Sequence, residues 1–446
     1  MYRDIFDHKG PYVYFVFSVI YLISHTSFLG LYFTEIIANF IFLYYSYKTI
    51  KFFENDTVVL VFPILSFVIC GSLSFSCGGS VEELCLPFFA YANYVGIKAL
   101  NNNEDIHFRE WFIIGVTSGI VFWSKFSLIG YYLAFGIFFM YIYIKNKKYD
   151  VLFKSILYLV LGIITASVPV LIYFIMNHSL NYLFEVYFYD NLFLYTVKST
   201  GNKAYLLFYN LLDALKFCVS FFSRGIFFVL CGIIYMFNKN RKVFVFLLST
   251  LLTSYFVIYM GGRSIVYYAM FFSIYILYGL VPLFVFIEQW INRKITINYY
   301  RIFILLGGYI ISGIVMFFNN SNTYMLKYSI KDYPQYVFDK YISKVDNPSL
   351  LVYGFLDDGF YTYSDITPTC RFFCGNNLPL EELSQEQDRY VKDGLVDFVI
   401  TRGKKLDNSI SEKYFLISTH SYYTNKNLYI TYYLYKKEAV NNTLIE

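Results

Sequence analysis

Charge is what this chain has least of. Only 15% of its 446 residues are charged, against roughly 25% in a soluble globular domain. The deficit comes from repeated apolar stretches of ~17–20 residues, the length that crosses a bilayer core. An ordinary soluble enzyme is thereby excluded. The stretches are continuous rather than alternating with a ~10-residue period, which excludes a membrane β-barrel. No basic block is present and the net charge is only +5, so nucleic acid is not an expected partner. Cysteine is scarce and dispersed. Cys70, Cys77, Cys85, Cys218 and Cys231 lie in or beside apolar segments, where Cys behaves as a small hydrophobe. Cys370 and Cys374 could pair in an oxidising compartment, but they have no Cys/His partners at metal-ligand spacing. His8 has no second histidine near it in sequence. No metal and no cofactor are expected. No small-residue cleavage site follows the first apolar run, so no cleavable signal peptide is expected. Neither low-complexity linkers nor solenoid repeats are present.

What the chain does have is apolar length. Spans are expected at 31–47, 57–76, 84–100, 111–126, 127–144, 156–176, 217–237, 243–260, 267–287 and 302–318, about ten in all. Arg224 falls inside the seventh. The run 11–25 is shorter and reads as a span or as a juxtamembrane helix lying at the membrane surface. Residues 319–446 return to ordinary mixed composition. Strands are expected at 349–353, 396–401, 414–419 and 428–435, with a helix at 380–393 and a turn at 425–427. The expected fold is an all-α polytopic membrane domain over 1–318 with a small α/β domain over 319–446.

Lysine and arginine set the orientation. One set of loops holds Lys48/Lys51, Lys98/Arg109, Lys145/Lys147/Lys148/Lys154, Lys239/Arg241/Lys242 and Arg293/Lys294/Arg301. It outnumbers the opposite set and is assigned to the cytoplasm. The N-terminal segment, the loop 77–83, the turn at Lys125, the loops 178–205 and 261–266 and the C-terminal domain are then outside. Aromatic residues make up 23%. Interfacial belts or sugar-stacking surfaces are one reading. The other, favoured for most of them, is a compositional bias shared with Lys, Asn and Ile.

Ionisable residues near membrane depth mark candidate sites, and here they collect on the outer side. Asp4 and Asp7 could each act as a general base or as a hydrogen-bonding orienter, or be a solvated juxtamembrane turn. Lys9, beside Gly10-Pro11, could neutralise a phosphate or snorkel to the interface. Gly78-Gly79-Ser80-Val81-Glu82-Glu83 delivers two carboxylates to a helix start, where the dipole favours acids. Lys125 ends one apolar run and begins the next; a compact ammonium there suits phosphate, or snorkels. Arg263, after Gly261-Gly262, has the same two readings. Carboxylates and cations on one face suit a transfer in which a base activates an acceptor hydroxyl while cations hold a phosphate leaving group.

Tyr2-Arg3-Asp4-Ile5-Phe6-Asp7-His8-Lys9-Gly10-Pro11 resembles a motif in the first outer loop of bacterial membrane glycosyltransferases of the C-type fold. These are the relatives of protein O-mannosyltransferases and lipid A aminoarabinose transferases. Gly78-Gly79 with Glu82-Glu83 and Leu86-Pro87, Gly115 and Gly119 before Lys125, Phe188-Tyr189-Asp190-Asn191 with Tyr195, and Asp358-Gly359-Phe360-Tyr361 resemble later motifs, in order. The resemblance implies a polyprenyl-phosphate-linked sugar donor, an outward-facing site, inverting transfer to a cell-envelope glycan, lipid or protein, and a multi-pass location in the bacterial cytoplasmic membrane. It implies catalytic candidates Asp4 and Asp7. Together with the charges read above, the substrate-binding candidates are Lys9, Glu82, Glu83, Lys125, Asp190, Asn191 and Arg263. Because unpaired charges beside a bilayer need partners or a water-filled cavity, Lys9, Glu83, Lys125 and Arg263 are expected to line one outward cavity, with Asp4 and Asp7 at its rim. In that family the catalytic Asp precedes the position matching Tyr2 and follows a first transmembrane helix. The sequence shows neither, so a late start or a non-catalytic truncated copy is expected, with an exposed groove beside 31–47 and 57–76. A lipid-sugar flippase is the alternative, expected to show related halves and broken helices. A polysaccharide polymerase or ligase is a third.

Overall fold

A computed structural model describes residues 1–53, 61–196, 202–294, 298–320, 322–424 and 428–438. The expected turn at 425–427 lies outside them, as does the start of the run at 57–76. The first helix, α1 (Pro11–Ile23), opens on a proline at its first position, where a missing N–H costs nothing. It is followed by α2 (Leu29–Ile50), α3 (Val61–Cys70), α4 (Val81–Asn102), α5 (Phe108–Ser124), α6 (Gly130–Lys145), α7 (Tyr149–Met176) and the short α8 (Leu180–Tyr182). A π-helical stretch, Leu183–Leu194, continues from α8. Then come α9 (Lys203–Phe221), α10 (Ser223–Lys239), α11 (Arg241–Tyr259), α12 (Ser273–Lys294) and α13 (Asn298–Asn319). Among the described residues, seven helices are long and apolar enough to cross a membrane. This is a membrane protein.

Two expected spans are redrawn. The run at 217–237 is broken at Phe222, where φ −133° ψ 33° leaves helical geometry, so α9 ends and α10 starts there. The run at 267–287 begins as a 3-10 helix, Val266–Phe272, before α12.

One close crossing is α5 on α7. A Cβ at Gly115 would lie 2.2 Å from the Leu159 carbonyl oxygen, and one at Gly162 would lie 2.2 Å from that of Phe112. Small residues allow this approach, and in lipid it is dispersion at such contacts, rather than the hydrophobic effect, that holds helices together. At the centre, α4 buries residues along almost its whole length, Val81 to Leu100.

The C-terminal domain contains α14 (Pro334–Ile342), β1 (Leu350–Val352), α15 (Phe360–Tyr363), α16 (Glu381–Asp393), β2 (Phe398–Arg402), β3 (Tyr414–Thr424) and β4 (Leu428–Lys437). Its sheet order is β1-β2-β4-β3, with β1 parallel to β2 and the other pairs antiparallel. The N-terminal segment is wedged between this domain and the helix bundle. Tyr2 and Phe6 are buried in one cluster with Trp123 and Phe174 of the bundle and Phe372 of the domain. The Phe6 N–H donates to the Arg371 carbonyl at 2.8 Å.

The cation asymmetry of the loops makes a definite expectation about sidedness. Reporter fusions at Asn238 and Asn347 should report opposite sides of the membrane; the same side for both would overturn the orientation.

Candidate functional site

The end of the bundle next to the C-terminal segment carries Lys9, Lys125 and Arg263. Lys125 caps α5 with extended backbone, and a 3-10 turn, Phe126–Ile129, starts at once. Gly10 makes the partner approach possible: its N–H donates to the Ser124 carbonyl at 3.2 Å, and a Cβ there would lie 2.1 Å from the Trp123 carbonyl oxygen. Lys9 is thus held beside Lys125. The Tyr2 hydroxyl fixes the same turn by donating to the Lys9 carbonyl at 2.5 Å.

The Lys125 ammonium makes an ion pair with Glu82. It also lies 3.4 Å from the Tyr268 ring centroid and 5.7 Å from that of Tyr267. Arg263 reaches in from the loop after α11, where Gly262 takes φ +77°. Its Nε donates to the Tyr195 carbonyl at 2.7 Å, which anchors the guanidinium by one edge. Asn191, in the π-helical stretch, donates to the His8 carbonyl at 2.9 Å.

Lys9, Lys125, Arg263, His8 and Asn191 line one cavity of about 110 Å³. His8 is buried there, and desolvation pulls its imidazole down to about 4; Asp7 opposes this, while Lys9 and Lys125 reinforce it. A neutral His8 leaves the cavity's positive charge to Lys9, Lys125 and Arg263. A second cavity, of about 570 Å³, lies on the other side of Lys9 and Lys125, which line both, and adds Asp7, Glu82 and Tyr267.

The remaining expected residues lie elsewhere. Glu83 does not share the cation-lined cavity. It accepts from Asn39 Nδ2 at 2.8 Å and from the Gly79 N–H at 3.0 Å, and faces a third cavity of about 930 Å³ between α2, α3 and α13. Consecutive helical residues point about 100° apart, so Glu82 and Glu83 cannot face one space. Asp4 is exposed and paired with its neighbour Arg3 at 2.9 Å, away from both cavities. Asp190 is buried but absent from the cavity wall. Burial pushes its carboxyl up to about 6, with Glu185 adding and Arg371 opposing. Arg224 packs on Phe67 and reaches Asn319. The 930 Å³ cleft lies beside α2 and α3, and its far wall is α13 of this same chain. Cys370 and Cys374 are both free thiols.

Sequence reasoning missed Glu35 and the tyrosine pair Tyr267/Tyr268. Glu35 had a signal, a lone carboxylate inside the apolar run at 31–47; it lines the 930 Å³ cleft with Glu83. The tyrosines had none, being two among 49.

Residues 8–173 match the family model described as dolichyl-phosphate-mannose-protein mannosyltransferase. The matched stretch includes His8, Lys9, Glu82 and Lys125, and stops before Asn191 and Arg263. It supports a membrane glycosyltransferase. A search of curated proteins finds no match.

Proposed function

We propose that the protein transfers a sugar from a polyprenyl-phosphate carrier to a hydroxyl-bearing acceptor in the cell envelope, on the outer side of the bacterial cytoplasmic membrane. The observation that carries this reading is the cavity that gathers Lys9, Lys125 and Arg263 at one end of an apolar bundle. Three cations beside a low-dielectric wall match a phosphate whose charge grows as it leaves. In the transfer, the acceptor oxygen bonds the sugar's anomeric carbon as that carbon's bond to the phosphate oxygen breaks. The lipid phosphate departs with the electron pair, held by the three cations. The hydroxyl proton passes to a carboxylate. Of the two aspartates expected for that role, Asp7 is the one that lines a cavity with Lys9. Its Oδ1 is oriented by the His8 N–H at 2.7 Å. Attack on the face opposite the phosphate inverts the anomeric centre.

Lys9 and Lys125 act as compact point charges, while Arg263, pinned through Nε, presents a planar fork. A polyprenyl phosphate should raise the unfolding temperature of the purified protein, and Arg263→Ala should lose most of that shift. The unphosphorylated polyprenol should give none in either. Equal stabilisation by alcohol and phosphate would remove the cations from lipid recognition. The flippase alternative expects charges at mid-membrane between related halves, whereas Lys9, Lys125 and Arg263 all sit at one end of the bundle.

A further inference from the structure

The second cavity has a chemistry of its own. It is about 570 Å³ and meets the phosphate-sized cavity only across Lys9, Lys125 and Val81. Glu82 lines it and is 1% exposed. One of its oxygens is spent on Lys125, and the other, Oε2, is buried with no hydrogen-bond partner among the described residues. A buried carboxylate oxygen left unpaired is costly, and such groups in native structures call for an explanation. A donor supplied by a bound molecule is one. The formal charges on the cavity wall are Asp7 and Glu82 against Lys9 and Lys125. They balance, so the cavity favours neither an anion nor a cation. Tyr14, Phe17, Phe75 and Tyr267 add aromatic surface to the same wall. Carboxylate acceptors with ring faces suit a molecule that has O–H groups along its edge and C–H groups on its face.

We infer that this cavity is a subsite for a neutral saccharide, whose hydroxyl donates to Glu82 Oε2 and whose apolar face packs on the aromatic wall. This rests on the transferase reading and narrows its acceptor class to an uncharged glycan. A cationic aminosugar, a basic peptide and a phosphorylated lipid headgroup are disfavoured by the balanced wall. The saccharide would then sit across the two lysines from the phosphate, on the side where Asp7 stands.

The test uses the purified full chain and three soluble probes: methyl α-mannoside, glucosamine and inorganic phosphate. Methyl α-mannoside should bind saturably. Glu82→Met, which keeps the side chain's length and removes both acceptors, should weaken it about tenfold or more. Phe17→Trp should do the same by filling the cavity without touching a charge, and decides the matter if Glu82→Met does not fold. Arg263→Ala should leave saccharide binding intact and weaken phosphate. The inference is overturned if methyl α-mannoside does not saturate, if neither cavity variant weakens it, or if glucosamine binds tenfold tighter. Failure of inorganic phosphate to bind the unmodified protein, with the saccharide result intact, would count against the donor reading and leave the saccharide subsite standing.

Discussion

Lys125→Ala should reduce kcat/KM for sugar transfer by ~10²–10³-fold, the cost typical of deleting one donor aimed at developing charge. Lys125 is the cation with the most fixed surroundings. Its backbone caps α5, its ammonium pairs with Glu82, and the Tyr268 ring closes over it at 3.4 Å. A charge held that way needs no reorganisation as the phosphate leaves. Lys125→Arg should recover only part of the rate, because the larger planar group cannot occupy the same contact with Tyr268 and Glu82 together. Steady-state kinetics on folded variants, with unfolding temperature as the control, would check this. A Lys125→Ala enzyme within threefold of wild type would reduce Lys125 to an anchor at the membrane surface.

Gly115→Leu should fail to yield folded protein, or should lower stability by about 3 kcal/mol or more, the upper range for overpacked sites. A Cβ at Gly115 would come within 2.2 Å of a backbone carbonyl on α7, and backbone cannot rotate aside as a side chain does. The helices would have to part along the whole seam, pulling Gly119 away from Ala166 and with it the end of α5 that positions Lys125. Gly307→Leu is the matched control, because nothing lies within 4 Å of a Cβ there. It should fold normally and unfold at nearly the wild-type temperature. If the two variants melt together, the α5–α7 seam is looser than described.

Much of the frame was legible from hydropathy alone, since a bilayer demands long apolar runs and punishes charge. The break at Phe222 had only a partial signal, Ser223-Arg224-Gly225 just after it, because the apolar residues on either side of that triplet read as one continuous run. The π-helical stretch at Leu183–Leu194 was equally silent. In the C-terminal domain, the strands read from β-branched and aromatic runs fall near β1 to β4, although β3 extends five residues further than expected, to Thr424. The Lys9–Lys125 pairing was anticipated from charge type but not from contact, because the Gly10 approach to Ser124 joins residues more than a hundred positions apart. Glu83 was misgrouped with Glu82 although helical geometry separates them. Asp4 was grouped with Asp7 although Arg3, next to it, offers the nearer partner.

The most direct test of the central claim is transfer itself. Purified protein in lipid should move radiolabelled sugar from a polyprenyl-phosphate donor onto a neutral glycan acceptor and release polyprenyl phosphate in equal amount. Arg263→Ala and Lys125→Ala should each reduce both products together. Movement of the intact lipid-linked sugar across the bilayer, with no new glycosidic bond and no free polyprenyl phosphate, would contradict the account.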